Sequence, residues 1–218
     1  MISTNLFVFD LDGTLIDSRR DLADAANALI AERGGAPLAV DAVAGMVGEG
    51  AALLVRRALA SAGVMLEVER DLPRFLDLYA ERMLEHTTLY EGTREMLEAV
   101  AGRAALAVLT NKPQQHTDAI LDGLDVAKYF RWVVGGDTAY GRKPEPTGLQ
   151  HLVSVAGAET RQTLMVGDSA IDLKTARAAN VRICLVRYGF GFRTVGDLLD
   201  GTECLIDRPA DLVSLVRP

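Results

Sequence analysis

The amino-acid sequence predicts an α/β fold: a doubly wound, mostly parallel sheet into which a helical domain is inserted. Several short runs rich in valine, leucine and isoleucine are typical of strands that are covered on both faces. Helical patterns separate these runs, as crossovers between parallel strands require. The predicted strands lie at 7–10, 105–110, 132–137, 163–168 and 181–186.

The gap between the first two predicted strands, from 10 to 105, is several times longer than the later gaps. Within it, apolar residues recur at helical spacing and glycines interrupt the helices. We therefore assign residues 1–15 and 83–218 to the α/β core and residues 16–82 to an inserted helical cap domain, called the cap segment below. Its position directly after the first strand suits a lid. The helical pattern comprises Leu22, Ala25, Ala26, Leu29 and Ile30, then Leu53, Leu54 and Ala58, then Leu72, Phe75, Leu76 and Tyr79.

Composition narrows the class of partner. The 218 residues carry a net charge of −7 with a pI near 5.0, and lysine and arginine form no block. We therefore expect no nucleic acid and no anionic membrane surface as the main partner. A small molecule is the expected partner, and the expected assembly is a monomer or a homodimer.

The sequence also predicts a cytoplasmic protein. Asp10 and Asp12 occupy the region where a signal peptide needs an apolar stretch, and no apolar run approaches membrane-spanning length. Cys184 and Cys204 lie too far apart in sequence for a CxxC site. Buried free thiols in a reducing compartment are therefore expected.

Two carboxylates, Asp10 and Asp12, end the first predicted strand in the stretch LFVFDLDGT. Side chains two apart share a face of a strand, so both start on one side while Leu11 points into the core. Ligands bind at the carboxyl ends of strands in open α/β sheets, which makes this strand end a candidate site. Two close carboxylates repel each other unless a cation lies between them or one is protonated. A simpler alternative is that Asp12 and Gly13 only form a turn.

A second acidic cluster follows the predicted strand at 163–168, in the stretch TLMVGDSAID. Asp168 ends that strand, Ser169 begins a helix, and Asp172 lies one turn further on. Ser169 and Asp172 have the spacing of a capping box, so both could simply satisfy free amides at the helix start. Capping leaves Asp168 unexplained. Carboxylates converging without histidine or cysteine ligands suit a hard cation, and the sequence predicts Mg²⁺.

The other two strand ends carry neutral donors and a cation. Thr110 and Asn111 follow the strand at 105–110, where their hydroxyl, amide and backbone N–H groups could form an anion cradle. Alternatively, they only cap the next helix. Lys143 lies in the loop GGDTAYGRKPEP, where a fixed ammonium could neutralise both a phosphate and a carboxylate, although an isolated lysine is usually solvated.

Taken in order, DLDGT, the pair Thr110 and Asn111, Lys143 followed by Pro144, and GDSAID resemble the four motifs of the haloacid dehalogenase-like superfamily. They span residues 10 to 172. The residues are also those that phosphoryl transfer needs, because positioning and charge neutralisation dominate that chemistry.

The resemblance implies a role for each of these residues. Asp10 would be the nucleophile that forms an aspartyl phosphate, and Asp12 the general acid and base. Mg²⁺ would bind the carboxylates of Asp10 and Asp168 and the backbone carbonyl of Asp12. Three further groups complete the implied site: Thr110 and Lys143 as catalytic and phosphoryl-binding residues, Ser169 and Asp172 as residues that orient the ligands or bind through water, and Gly13, Thr14 and Asn111 as substrate contacts.

Within the superfamily, the second aspartate of the first motif favours phosphate over halogen chemistry, and the position of the insertion is that of the helical-cap type. Local stretches such as DSRRDLADAANALIAERG and GEGAALLVRRAL resemble those of bacterial phosphoglycolate phosphatases. By that resemblance, the Gly48-Glu49-Gly50 turn and Arg57 could reach over the core and bind the substrate. Glu49 would repel a substrate carboxylate unless it turned outward. Alternatively, the glycines only connect helices while Arg56 and Arg57 are solvated.

Three functions stay open on the sequence alone. The first is a Mg²⁺-dependent phosphatase for 2-phosphoglycolate. The second is a related capped phosphatase or a β-phosphoglucomutase-like enzyme for a sugar phosphate or another small phosphoester. The third is a non-catalytic binding protein on the same scaffold, against which the complete set of motif residues argues.

Overall fold

The computed structural model describes residues 4–214. The main strands form at near-continuous apolar runs, and most of their residues are buried because both faces of the sheet are covered. In chain order they are β1 (Leu6–Phe9), β2 (Ile16–Asp17), β3 (Thr88–Leu89), β4 (Ala105–Leu109), β5 (Trp132–Val134), β6 (Thr163–Gly167), β7 (Arg182–Val186) and β8 (Cys204–Ile206).

Six of these strands form one parallel sheet in the order β5-β4-β1-β6-β7-β8. The chain leaves the central β1 for β4 and β5 on one side and later adds β6, β7 and β8 on the other. The predicted doubly wound parallel sheet is therefore confirmed. The predicted strand 132–137 ends earlier, at Val134, and Asp10, Thr110 and Asp168 each follow a strand rather than end it.

Helices cover both faces of the sheet and fill the cap segment. They are α1 (Arg19–Glu32), α2 (Val40–Ala44), α3 (Ala51–Ser61), α4 (Val68–Ala80), α5 (Thr93–Ala101), α6 (Gln114–Gly123), α7 (Thr147–Val155), α8 (Ala170–Ala178) and α9 (Pro209–Val213). None of the helices within residues 4–214 combines the length and apolar character needed to cross a bilayer.

The alternating side chains of the central strand build two hydrophobic clusters. Phe7 and Phe9 pack in one cluster, which continues into the cap segment. Leu6 and Val8 point the other way, into a second cluster that includes Leu149 of α7. Both faces of β1 are thus covered, so its carboxyl end is a rigid mount for whatever follows.

The cap segment contains the predicted helices as α1, α3 and α4, together with the short α2. Two features connect the cap segment to the rest of the chain. The strands β2 and β3 pair antiparallel where the chain enters and leaves this segment. The buried carboxylate of Asp21 accepts hydrogen bonds from the backbone amides of His86 and Thr87 and from the Thr87 hydroxyl, at 2.8 to 3.1 Å. The division into domains at residues 16 and 82 stays a prediction.

Candidate active site

The loop after β1 turns sharply at Gly13 and brings two carboxylates to one cavity. Asp10 and Asp12 both line it, while Leu11 between them is fully buried in the core. Gly13 has a φ of +87°, a left-handed conformation that favours glycine. A Cβ atom at Gly13 would lie 2.1 Å from Oδ2 of Asp168. Glycine is therefore required here both by the turn and by the close approach of the third carboxylate.

Asp10 is buried and held by a lysine. Its backbone N–H donates to the carbonyl of Val166 in the neighbouring strand at 2.9 Å. Its Oδ1 lies 2.6 Å from the Nζ atom of Lys143. Burial raises the pKa of Asp10 to about 7 against the opposing effect of Lys143, and the nearby Asp172 carboxylate adds to the rise. Oδ2 of Asp10 accepts no hydrogen bond from the residues that the structure describes.

Asp12 has a different set of partners. Its Oδ1 accepts a hydrogen bond from the Ser18 hydroxyl at 2.5 Å and lies 3.1 Å from the Nζ atom of Lys112. The two aspartates are therefore each paired with their own lysine. Both contacts of Asp12 use the same oxygen, which leaves Oδ2 available to a ligand in the cavity.

Asp168, Ser169 and Asp172 form the third part of the site. The Ser169 hydroxyl and the Asp172 carboxylate make the predicted capping box at the start of α8. Asp172 also accepts a hydrogen bond from Lys143 at 2.7 Å and one from the Asp168 backbone N–H at 3.2 Å. Asp168 accepts a hydrogen bond from the Gly191 N–H at 2.7 Å through Oδ2. The predicted capping box of Ser169 and Asp172 is thus present. Capping is not the whole role of Asp172, because its carboxylate also binds Lys143.

Lys143 bridges two strand ends from a buried position. Its ammonium contacts both Asp10 and Asp172, and its side chain is 3% exposed. Burial alone would lower the pKa of Lys143, but the two carboxylates outweigh burial and raise the pKa above its usual range. The solvated alternative for this lysine is therefore wrong.

Thr110 and Asn111 do not cap the following helix. Helix α6 begins after Pro113 and has no side-chain cap. The Thr110 backbone N–H donates to the Val134 carbonyl, so only its hydroxyl is left for a ligand. The side-chain amide of Asn111 donates to the carbonyls of Gly48 and Lys143, both at 2.9 Å. A phosphate contact from Asn111 would therefore have to come from its backbone.

The cavity lies between the sheet edge and the cap segment. The space open to the centre of a water molecule measures about 50 Å³. The sheet side supplies Asp10, Asp12, Thr110, Asn111, Lys112, Pro113, Asp168, Ser169, Phe190 and Gly191. The cap segment supplies Leu22, Val47, Gly48, Gly50, Ala51, Leu54, Phe75, Leu76 and Tyr79.

The acidic cluster has the donor set of a divalent cation site. Asp10, Asp168 and Asp172 each present a carboxylate oxygen within 4.8 Å of the others. Burial raises the pKa of Asp168 well above its usual range, and the carboxylates of Asp172 and Asp10 add to this rise, so a cation would relieve their repulsion. Both oxygens of Asp172 already accept hydrogen bonds. Asp10 and Asp168 are therefore the carboxylates best placed to bind the cation directly, and oxygen-only donors fit a hard divalent ion.

Four predicted substrate contacts lie outside the cavity lining: Lys143, Arg57, Gly13 and Thr14. Arg57 pairs with Glu49 at 2.6 Å on the exposed surface of the cap segment. Glu49 is thus turned outward, as a substrate carboxylate would require. Gly13 lies against the Asp168 carboxylate, and the Thr14 hydroxyl is buried without a partner among the described residues. Binding of substrate by these residues stays a prediction.

Sequence reasoning missed Lys112, Tyr79 and Ser18. Lys112 directly follows Asn111 in the sequence ALAVLTNKP at 105–113, so its place next to the strand end was a usable signal. Tyr79 belongs to the apolar pattern of α4 and gives no separate signal. Ser18 is the first residue before α1, and its contact with Asp12 depends on the turn at Gly13.

Comparisons with known proteins agree with this geometry. Residues 7–186 match the family model for haloacid dehalogenase-like hydrolases. A phosphoglycolate phosphatase of Rhodospirillum rubrum is 44% identical over 199 residues, covering 88% of this chain and 83% of the relative. One from Pseudomonas putida is 41% identical over 191 residues, covering 85% and 70%.

A solved structure extends the likeness to the whole fold. The crystal structure of a predicted phosphoglycolate phosphatase from Haemophilus somnus superposes with a TM-score of 0.92 at 29% identity, covering 100% of both chains. The resemblance inferred from the four motifs is confirmed. The chain belongs to the haloacid dehalogenase-like hydrolase family.

Proposed function

We propose that the protein is a Mg²⁺-dependent phosphomonoester hydrolase that acts through an aspartyl phosphate, with 2-phosphoglycolate as substrate. The reaction converts 2-phosphoglycolate and water into glycolate and phosphate. The relatives from Rhodospirillum rubrum and Pseudomonas putida support this assignment. One observation carries it: Asp10 and Asp12 face one cavity, and each is held by a separate lysine.

Asp10 acts as the nucleophile. One of its carboxylate oxygens attacks the phosphorus, and the bond between phosphorus and the leaving oxygen breaks. Lys143 supports this role because its ammonium offsets the charge of Asp10 and so reduces repulsion of the approaching phosphate. The Thr110 hydroxyl, at the neighbouring strand end, donates to a phosphoryl oxygen.

Asp12 acts first as a general acid and then as a general base. It gives its proton to the leaving oxygen as the ester bond breaks. It then takes a proton from the water that attacks the aspartyl phosphate, and the bond between phosphorus and Asp10 breaks. Both carboxyl groups thereby return to their starting states. Ser18 and Lys112 support this role because they fix one oxygen of Asp12 and leave the other free.

The cation proposed for this site is Mg²⁺, held by the carboxylates of Asp10 and Asp168 and by the backbone carbonyl of Asp12. When bound, it would supply positive charge that offsets the repulsion between the carboxylates and the phosphate. Asp172 supports the cation site indirectly, through its hydrogen bonds with Lys143 and Ser169, rather than as a direct ligand. The expected cytoplasmic location belongs to the same proposal.

Phosphate release from a panel of esters tests the proposal. Purified protein is assayed with 2-phosphoglycolate, glucose 1-phosphate, glucose 6-phosphate and p-nitrophenyl phosphate, each with Mg²⁺ and with EDTA. We expect the highest kcat/KM for 2-phosphoglycolate and no turnover in EDTA. Isomerised sugar phosphate with little free phosphate would point instead to the mutase alternative. Release from none of the esters would overturn the assignment as a hydrolase.

A further inference from the structure

A buried lysine and a buried tyrosine meet where the cap segment closes on the sheet edge. Lys112 comes from the loop after β4 and Tyr79 from α4 of the cap segment. The Lys112 ammonium donates to the Tyr79 hydroxyl at 2.7 Å and lies 4.4 Å from the centre of the tyrosine ring. The mechanism gives Tyr79 no task, and it uses Lys112 only as a partner of Asp12.

Lys112 and Tyr79 each have one hydrogen-bond donor without an acceptor among the described residues. An ammonium carries three N–H groups, and those of Lys112 contact Asp12 and Tyr79. No third acceptor for Lys112 is present within residues 4–214. Tyr79 accepts from Lys112, and its own O–H has no acceptor in the same part of the chain. Both side chains line the cavity, so two donors are available to a ligand there.

Lys112 is also the cationic member of the cavity wall. Among the described residues that line the cavity, the charged side chains are Asp10, Asp12, Asp168 and Lys112. The Lys112 side chain is only 4% exposed and contacts the Asp12 carboxylate, so its ammonium lies in a dry environment where an opposite charge is strongly attracted.

The position of Lys112 and Tyr79 indicates which part of the substrate they contact, namely the leaving group. Lys112 contacts Asp12, and Asp12 is the proposed proton donor to the leaving oxygen. A group attached to that oxygen extends from Asp12 towards Lys112 and Tyr79, which meet at the boundary between the sheet edge and the cap segment. The ligand atoms that reach this pair are therefore those of the leaving alcohol rather than those of the phosphoryl group.

The rest of the cap wall excludes a polyhydroxylated alcohol. Apart from glycine and Tyr79, the described cap residues that line the cavity carry only hydrocarbon side chains: Leu22, Val47, Ala51, Leu54, Phe75 and Leu76. Sugar hydroxyls buried against such a surface would lose their hydrogen bonds to water without replacement. The accessible space of about 50 Å³ holds only a few waters, and thus only a few ligand atoms.

We propose that Lys112 and Tyr79 form a subsite for a carboxylate carried by a short leaving group of the substrate. The inference rests on the proposed function, which it deepens by assigning the second anionic group of the substrate to named residues. Tyr79 belongs to the cap segment, so this subsite is complete only when that segment lies against the sheet edge. An anionic leaving group then binds both segments at once.

Two esters that differ only at the leaving group test the subsite. They are 2-phosphoglycolate and 2-hydroxyethyl phosphate, in which a hydroxymethyl group replaces the carboxylate. The measured quantity is the ratio of their kcat/KM values. We expect wild type to favour the carboxylate by at least about 100-fold, as for loss of a desolvated charge pair.

Two variants and one matched control follow. Lys112→Met keeps the aliphatic stem and should lower the ratio to within about threefold of one, since the ammonium supplies most of the discrimination. Tyr79→Phe keeps the ring that stacks on Phe75 and should lower the ratio about tenfold through one lost hydrogen bond. Lys128→Met is the control, because Lys128 also pairs with an aspartate and lies over a tyrosine, but on the exposed surface. It should leave the ratio unchanged.

A role confined to positioning Asp12 gives a different result. Lys112→Met would then slow both esters by the same factor, and the unchanged ratio would overturn the subsite. Thermal melting of each variant checks folding. If Lys112→Met fails to fold, Tyr79→Phe decides, and an unaltered ratio in that variant overturns the proposal.

Binding without turnover separates this inference from the proposed function. Calorimetry on Asp10→Asn protein measures the affinity for both esters, with and without Lys112→Met. If wild type hydrolyses neither ester while calorimetry still shows a preference for 2-phosphoglycolate that depends on Lys112, the subsite stands and the hydrolase assignment falls. Equal affinity for the two esters overturns the subsite whatever the activity.

Discussion

The two walls of the cavity differ in chemistry. The sheet edge contributes the carboxylates, the Lys112 ammonium and most of the hydrogen-bonding side chains, all at the ends of parallel strands. The cap segment contributes hydrocarbon side chains and a single hydroxyl, that of Tyr79. Strand ends are fixed by backbone ladders on both sides, whereas the cap segment meets the sheet edge through side-chain contacts such as those of Asn111 and Lys112. Under the proposed function, this difference corresponds to two separate roles: the sheet edge carries out the reaction, and the cap segment selects the leaving group.

The comparison predicts that changes at the sheet edge lower turnover of every substrate alike. The largest effect is expected for Asp10→Asn, which removes the proposed nucleophile and should lower kcat at least about 10³-fold. Steady-state assays with 2-phosphoglycolate and p-nitrophenyl phosphate measure it. Asp122→Asn, at an exposed position of α6, is the control and should be neutral. Appreciable turnover by Asp10→Asn would remove Asp10 as nucleophile.

The second prediction distinguishes the role of Asp168, in the loop before α8, from that of Asp172, within α8. Asp168→Asn should weaken Mg²⁺ binding at least about tenfold and activity about 10²-fold, because it removes a proposed direct ligand. Asp172→Asn should change Mg²⁺ affinity less but lower the free energy of unfolding by about 2 kcal/mol, since it disturbs charged hydrogen bonds in a buried site.

Two measurements distinguish these variants: titration calorimetry gives their Mg²⁺ affinity, and urea denaturation gives their free energy of unfolding. EDTA should abolish wild-type activity and added Mg²⁺ should restore it. Indifference to chelation would remove the metal from the mechanism. Loss of Mg²⁺ binding in Asp172→Asn alone would exchange the roles that the hydrogen bonds assign to the two aspartates.

Changes in the cap wall should alter the ranking of substrates instead. Leu54→Ala enlarges the cavity on its apolar side and should raise the relative kcat/KM of bulkier esters about tenfold, at a stability cost of about 2–4 kcal/mol. Leu59→Ala is the matched control, because Leu59 is equally buried in α3 but does not line the cavity. If both variants slow every ester equally, the division between the walls fails.

The smallest effect is expected at the exposed pair of the cap segment. Arg57→Ala breaks the contact with Glu49, and solvent-exposed pairs contribute at most about 1 kcal/mol. We expect less than about a threefold change in any kcat/KM, because the pair lies off the cavity. A large change specific to 2-phosphoglycolate would restore the substrate contact that the sequence predicts for Arg57.

Much of the sheet edge could be predicted because its signals are local. Asp10, Asp168 and Lys143 stand next to apolar runs or in short polar loops, and parallel strands bring such ends together. The capping box of Ser169 and Asp172 could likewise be read from its spacing. Each of these predictions needed only a few neighbouring residues and the topology of the sheet.

The remainder depends on packing between distant segments. Lys112 and Tyr79 are 33 residues apart in sequence, and they meet because α4 packs against the sheet edge. The donors of Asn111 could not be assigned without knowing that Gly48 and Lys143 lie beside it. The strands β2, β3 and β8 have two or three residues each, too few to show a period.

The side chain of Asn111 spans both walls with a single amide group. One of its two N–H groups donates to Gly48 in the cap segment, and the other to Lys143 in the core. The two protons resonate separately in a nitrogen-edited NMR spectrum. Opening of the cap segment would break the hydrogen bond to Gly48 and change the proton frequency of that N–H more than that of the N–H bound to Lys143, so one native asparagine can serve as an unmodified reporter of opening.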